Sequence, residues 1–151
     1  MVSAESTIVL FENMVMVGRP PADLQYFADQ LVAIFLGATD IPCRKREDQL
    51  SYRLYCERNS ESMREQIILE QMNGAEVMIL RNIFGYTALL KGNCVHECIW
   101  YPNKSLTIDQ LIEVVQANNI YKPYFMFTHA AQNKTIPGIN HTHLIREDKS
   151  K

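Results

Sequence analysis

The stretch EVMILRNIFGYTALLKGNCVHECIWY, Glu76 to Tyr101, decides the fold class. It reads as three short strands in succession, Glu76–Arg81, Tyr86–Lys91 and Cys94–Tyr101, with Gly85 and the Gly92-Asn93 pair supplying the turns between them. Strands that follow one another without an intervening helix predict an α+β domain with a mixed or antiparallel sheet, not a doubly wound parallel one.

Helices and further strands flank this centre. Thr7 to Val17 is almost wholly apolar on both alternating faces, which predicts a central strand covered on both sides. Glu12 is the polar exception there, a candidate carboxylate, and Glu12-Asn13 suits a bulge or the turn of a hairpin, the bulge being the preferred reading. Gly18 and Pro20-Pro21 end that strand, and the prolines suit the start of a helix. Leu24, Phe27, Ala28, Leu31, Ile34 and Phe35 then recur at helical spacing up to Gly37. Residues 37–49 read as a loop, and Tyr52, Leu54 and Cys56 alternate as a one-sided strand. A second helix fits Glu61 to Asn73, capped by Ser60 or Ser62, with Gly74 beyond its end. A third starts at Thr107, where Thr107 and Gln110 form a capping box and Leu106 and Leu111 a staple. A last strand, Tyr124 to His129, follows Pro123. The expected order is β-α-β-α-β-β-β-α-β: a sheet of five to six strands with three helices. It forms one domain over residues 1–145, with a charged, frayed tail from 146 to 151.

Composition narrows the function classes. Of 151 residues, 47% are apolar and 21% charged, and the formal charge is −2. That is globular composition with no basic excess for a nucleic-acid backbone, so nucleic acid is not an expected partner. No apolar run is long enough to span a membrane. The N-terminus lacks the basic region of a secretory signal, with Glu5 in its place. Cys43, Cys56, Cys94 and Cys98 therefore read as reduced thiols of a cytoplasmic protein, the nucleus not being excluded.

Two candidate sites stand out. On a strand, Cys94, His96 and Cys98 share one face, and His141-x-His143 could complete a zinc site from the C-terminal region. The same Cys94, His96 and Cys98 are the candidates for thiol catalysis, with His129, His141 or His143 as a further base. Zinc sites favour paired cysteines on turns, and here no second pair exists, so the plain alternative is two small core cysteines and a satisfied or surface histidine. Phe84-Gly85-Tyr86 resembles the aromatic-glycine stretch of RNA-recognition motifs at those three positions alone. Gly92-Asn93-Cys94 with Pro102 resembles the cysteine neighbourhood of ubiquitin-conjugating enzymes, without their His-Pro-Asn stretch.

The second candidate is an apolar surface. Leu24, Phe27, Leu31, Val32, Phe35 and Leu36 wrap most of the first helix, and Tyr124, Phe125 and Phe127 form an aromatic run. Surplus apolar area points to a protein partner or to self-association. The resulting expectation is a small regulatory or adaptor domain, a homo-oligomer acting without a cofactor. The alternative is a cysteine- or zinc-dependent enzyme centred on Cys94, His96 and Cys98.

Overall fold

A computed structural model describes residues 7–11, 13–128, 136 and 138–148. Among them the order is β1 (Thr7–Phe11), β2 (Met14–Val17), α1 (Ala22–Phe35), α2 (Arg46–Arg58), α3 (Glu61–Met72), β3 (Met78–Arg81), β4 (Cys94–Trp100), α4 (Ile108–Ala117), β5 (Tyr124–Phe127) and β6 (His141–Glu147). The six strands form one sheet, ordered β1-β2-β5-β6-β4-β3, and every pairing is antiparallel. The α+β class holds, with four helices in place of three.

Strand alternation sorts the core into two layers. Met14, Met16, Phe125, Phe127, Ile145 and Cys94 face α1, which buries Leu24, Phe27, Ala28 and Leu31 against them. Val15, Val17, Tyr124, Met126, Leu144 and Ile99 face the opposite way, onto Leu111, Ile112 and Val115 of α4. Both layers are needed because β2 and β5 are buried along their whole length. The α4 capping box forms as its sequence predicts: Thr107 Oγ1 accepts from Gln110 N at 3.2 Å, and Gln110 Oε1 accepts from Thr107 N at 2.9 Å. Ser60 caps α3, and Asn73 closes it in the left-handed conformation at φ 50°.

Four sequence expectations are corrected. The apolar run Thr7–Val17 is a hairpin rather than one strand, because the chain turns at Asn13; Glu12 lies outside the described residues. Residues 52–57 are helical, not a strand. The half-buried positions Gln49, Tyr52, Tyr55, Cys56 and Asn59 recur at three and four residues, the helical period, and no residue of α2 is fully buried to reveal it. Tyr86–Lys91 is a series of turns, in which the N–H groups of Leu89 and Leu90 both bond Tyr86 O at 2.9 and 3.2 Å. Finally, β6 occupies a stretch read as having no element, and the supposed tail boundary at Arg146 falls within it. Arg146 Nε donates to Glu97 Oε1 at 2.6 Å across the β4–β6 pair. Residues 149–151 lie outside the described residues.

Candidate functional site

At the β4–β6 end of the sheet, strand register makes the site. Cys98 pairs with His143, Trp100 with His141 and His96 with Ile145, so these side chains share the face that carries α1 farther along. Phe127 on β5 pairs with His143 and stacks on it at 4.5 Å and 5°. Trp100 lies 4.3 Å from His141. Met72 and Ile68 of α3 pack against Cys98 and Trp100 at this corner. Beside that contact α2, α3 and the turns at 82–86 enclose a cavity of about 250 Å³.

The buried groups form directed hydrogen-bond chains. The Tyr86 N–H donates to His96 Nδ1 at 3.1 Å. It gets that close because residue 85 is glycine: a Cβ there would stand 3.0 Å from His96 Cβ and 3.3 Å from Nδ1. His96 Nε2 stands 2.8 Å from His143 Nδ1, and Cys98 Sγ is 3.6 Å from the same nitrogen. Asn82 Nδ2 reaches Cys98 Sγ at 3.8 Å, while Asn82 Oδ1 accepts from Phe84 N at 3.0 Å. His141 Nδ1 donates to Ile139 O at 2.9 Å.

His96, Cys98 and His143 are brought together, their donor atoms within 4.8 Å of one another; strand alternation accounts for His96 and Cys98 sharing a face, and the β4–β6 register adds His143. His141 lines the same cavity. Cys94 does not join them; it packs with the α1 core. His129 lies outside the described residues. The His96 nitrogens do not suit a zinc ligand. A ligating imidazole donates its second N–H to an acceptor, but His96 Nδ1 meets a backbone N–H, so the proton of the neutral ring sits on Nε2. The cysteines are poor nucleophiles as well. Burial, with Glu97 adding to it, pushes the Cys98 thiol up to about 12. Burial, then Glu147 and Asp23, pushes Cys94 up to about 11.

Compared with protein-family models, curated proteins and solved structures, the chain matches none.

The cavity walls carry residues that the sequence reading passed over. Arg44 lies 4.1 Å over the Tyr52 ring and 5.2 Å from that of Tyr86, and its Nε donates to Phe84 O at 2.8 Å. Tyr55 and Phe84 pack at 4.8 Å. Arg64 donates from Nη1 to Asn59 O at 2.7 Å and lines the cavity from α3. Arg81 reaches only the rim, since it alternates onto the sheet face opposite Cys98. Among the described lining residues there is no carboxylate. The available signal was the spacing of Tyr52 and Tyr55 with Arg44 just before them, legible only once residues 46–58 are taken as a helix.

The predicted interaction surface divides differently. Leu24, Phe27, Leu31, Tyr124, Phe125 and Phe127 are all buried within this chain. Val32 and Phe35 are half-buried, and Leu36 alone of that set is exposed, at 68%.

Proposed function

We propose that this chain is a small-molecule-binding domain whose cavity takes a compact, planar anion. The supporting observation is the lining: the guanidinium groups of Arg44 and Arg64, the aromatic rings of Tyr52, Tyr55, Phe84 and Trp100, and no described carboxylate. Arginine pairs with carboxylate or phosphate through its fixed fork of donors, and the rings offer faces to a flat group. A volume of about 250 Å³ is just below the roughly 300 Å³ at which drug-sized pockets begin, which limits the ligand to one ring system and one charged group. Trp100 is the single tryptophan and lines the cavity, so its fluorescence reports occupancy directly. Titration with aromatic phosphates and carboxylates is expected to quench or shift that emission, whereas uncharged analogues leave it unchanged. Arg44→Gln is expected to weaken binding by roughly tenfold or more, from the loss of one charge-assisted hydrogen bond. Identical titrations with charged and uncharged probes would sink the reading.

A second reading, self-association of a regulatory domain, draws on a different surface from the one the sequence suggested. β1 is an edge strand, and Ile8 and Val9 are 53% and 60% exposed on it. An exposed apolar edge is a template for pairing with a second copy of the same strand. Light scattering over a concentration series tests it: a dimer that Val9→Lys dissociates supports the reading, and a monomer throughout ends it.

A further inference from the structure

Resting on the planar-anion reading, we infer that the ligand is a one-ring aryl carboxylate, a monoanion whose carboxylate takes the Nη1–Nη2 edge of Arg44. A phosphate on the same ring is the disfavoured ligand.

A guanidinium carries its N–H donors in one plane. Arg44 Nε donates to Phe84 O at 2.8 Å, and Nη1 reaches Gln49 Oε1 at 3.5 Å. Nη1 keeps a second proton, and Nη2 has no hydrogen-bond partner among the described residues. The Nη1–Nη2 edge is therefore what Arg44 offers to the cavity it lines. The plane of that edge is held in place. Arg44 Cζ sits 4.1 Å over the Tyr52 ring and 5.2 Å from that of Tyr86. Its neighbours in the chain are tied to the turn that carries Tyr86. Ala88 N donates to Cys43 O at 3.0 Å and Lys45 N to Thr87 Oγ1 at 3.1 Å, and Thr87 Oγ1 donates in turn to Asp48 Oδ2 at 2.7 Å. A donor pair fixed in advance loses little entropy on binding and selects a partner of matching shape. Two parallel N–H groups in one plane match the two oxygens of one carboxylate.

Charge then separates carboxylate from phosphate. A phosphate monoester carries close to two charges at neutral pH, on three oxygens set in a tetrahedron. Arg44 meets two of those oxygens at most. Arg64, the other guanidinium on the wall, has Nη1 committed to Asn59 O at 2.7 Å. Arg81 stands at the rim, on a strand position that alternates away from Cys98. The second phosphate charge would lose water without gaining a matched donor pair, which is costly. A carboxylate leaves no such remainder. The ring follows from what surrounds the edge. Phe84 supplies both the carbonyl that holds Arg44 and a ring packed on Tyr55 at 4.8 Å, so the seat for the anion and the aromatic wall adjoin.

The test is a Trp100 fluorescence titration of the full chain with benzoate, phenyl phosphate and benzamide, at about pH 8 where the phosphate is a dianion. Benzoate is expected to bind at least about tenfold more tightly than phenyl phosphate, and benzamide not measurably. Arg44→Lys keeps the charge and loses the planar donor pair, so the preference for benzoate is expected to shrink to within about twofold. The ratio in the native chain stands on its own if that variant folds poorly. A native preference below about tenfold, or a larger one that Arg44→Lys leaves intact, overturns the carboxylate seat but leaves the planar-anion reading standing. Benzamide binding as tightly as benzoate, or no binding by any probe, overturns both.

Discussion

One face of the sheet is finished in two different ways. Over β2 and β5, α1 lays Leu24, Phe27, Ala28 and Leu31 onto methionine and phenylalanine side chains, a layer of hydrocarbon with Phe27 at its centre. A few residues along the same face, over β4 and β6, the inward positions hold His96, Cys98, His141 and His143, and α3 reaches them only with Met72 and Ile68, on Cys98 and Trp100, which leaves a cavity beside that contact. The strands and the pleat are common to both ends; only the residue types and the covering helices change. Hydrocarbon packs without directional demands, so a helix can close onto it. Imidazoles need oriented partners, and here they find them in backbone groups and in one another, which fixes their geometry without filling the space. The dry end closes on itself, and the polar end leaves histidines and a thiol lining a cavity.

The largest expected effect lies at the dry end. Phe27→Ala empties the centre of the α1 layer and is expected to cost about 3–5 kcal/mol, read from urea unfolding monitored by circular dichroism. A cost near that of an exposed substitution would mean that α1 does not bear the core. At the polar end, His96→Phe should cost less, about 1–3 kcal/mol, because it strands the Tyr86 N–H and the His143 acceptor rather than opening a void. A larger loss at His96 than at Phe27 would reverse the ranking of the two ends.

Alkaline pH provides a gentler probe. Cys98, Cys94 and Tyr124 are held to about 12, 11 and 12 by burial, above their ordinary values of 9.0, 9.0 and 10.0, so the folded chain keeps protons that the unfolded chain gives up. The stability they contribute is complete below pH 9 and is lost progressively as pH rises towards 11–12. Unfolding midpoints are expected to be flat from pH 7 to 8.5 and to fall from about pH 9 upward. A midpoint that rises over that interval would contradict the burial of these groups. The smallest effect expected is that of zinc. With the His96 ring proton committed to His143, one equivalent of zinc should leave the native mass spectrum that of the bare chain. A tight one-to-one adduct abolished by Cys98→Ser would show that the hydrogen-bond chain rearranges into a metal centre.

Several parts of this molecule were legible from short stretches. The α4 capping box, the Ser60 cap and the alternation of Cys94, His96 and Cys98 depend on residues a few positions apart, so the local pattern carried them. α2 was hidden because Tyr52, Leu54 and Cys56 alternate like a strand, while its leucines, Leu50 and Leu54, are exposed and its half-buried stripe is the mixed set Gln49, Tyr52, Tyr55, Cys56 and Asn59. The surface assigned to Leu24, Phe27 and Leu31 failed for the converse reason. A fully apolar helix face looks alike whether its partner is another chain or its own sheet.

By itself, the sequence determined an α+β class with consecutive strands, the position of the best-capped helix and a row of cysteine and histidine on one strand face. These follow from interactions within a few residues along the chain. The tertiary structure alone decided that β6 pairs between β4 and β5, setting His143 beside Cys98 although 45 residues separate them. It also decided that Arg44 and Arg64 join these residues around one cavity, and which partners face the ring nitrogens of His96, His141 and His143. A ring nitrogen's state is fixed by the partner it faces, and strand pairing, not sequence distance, supplies that partner.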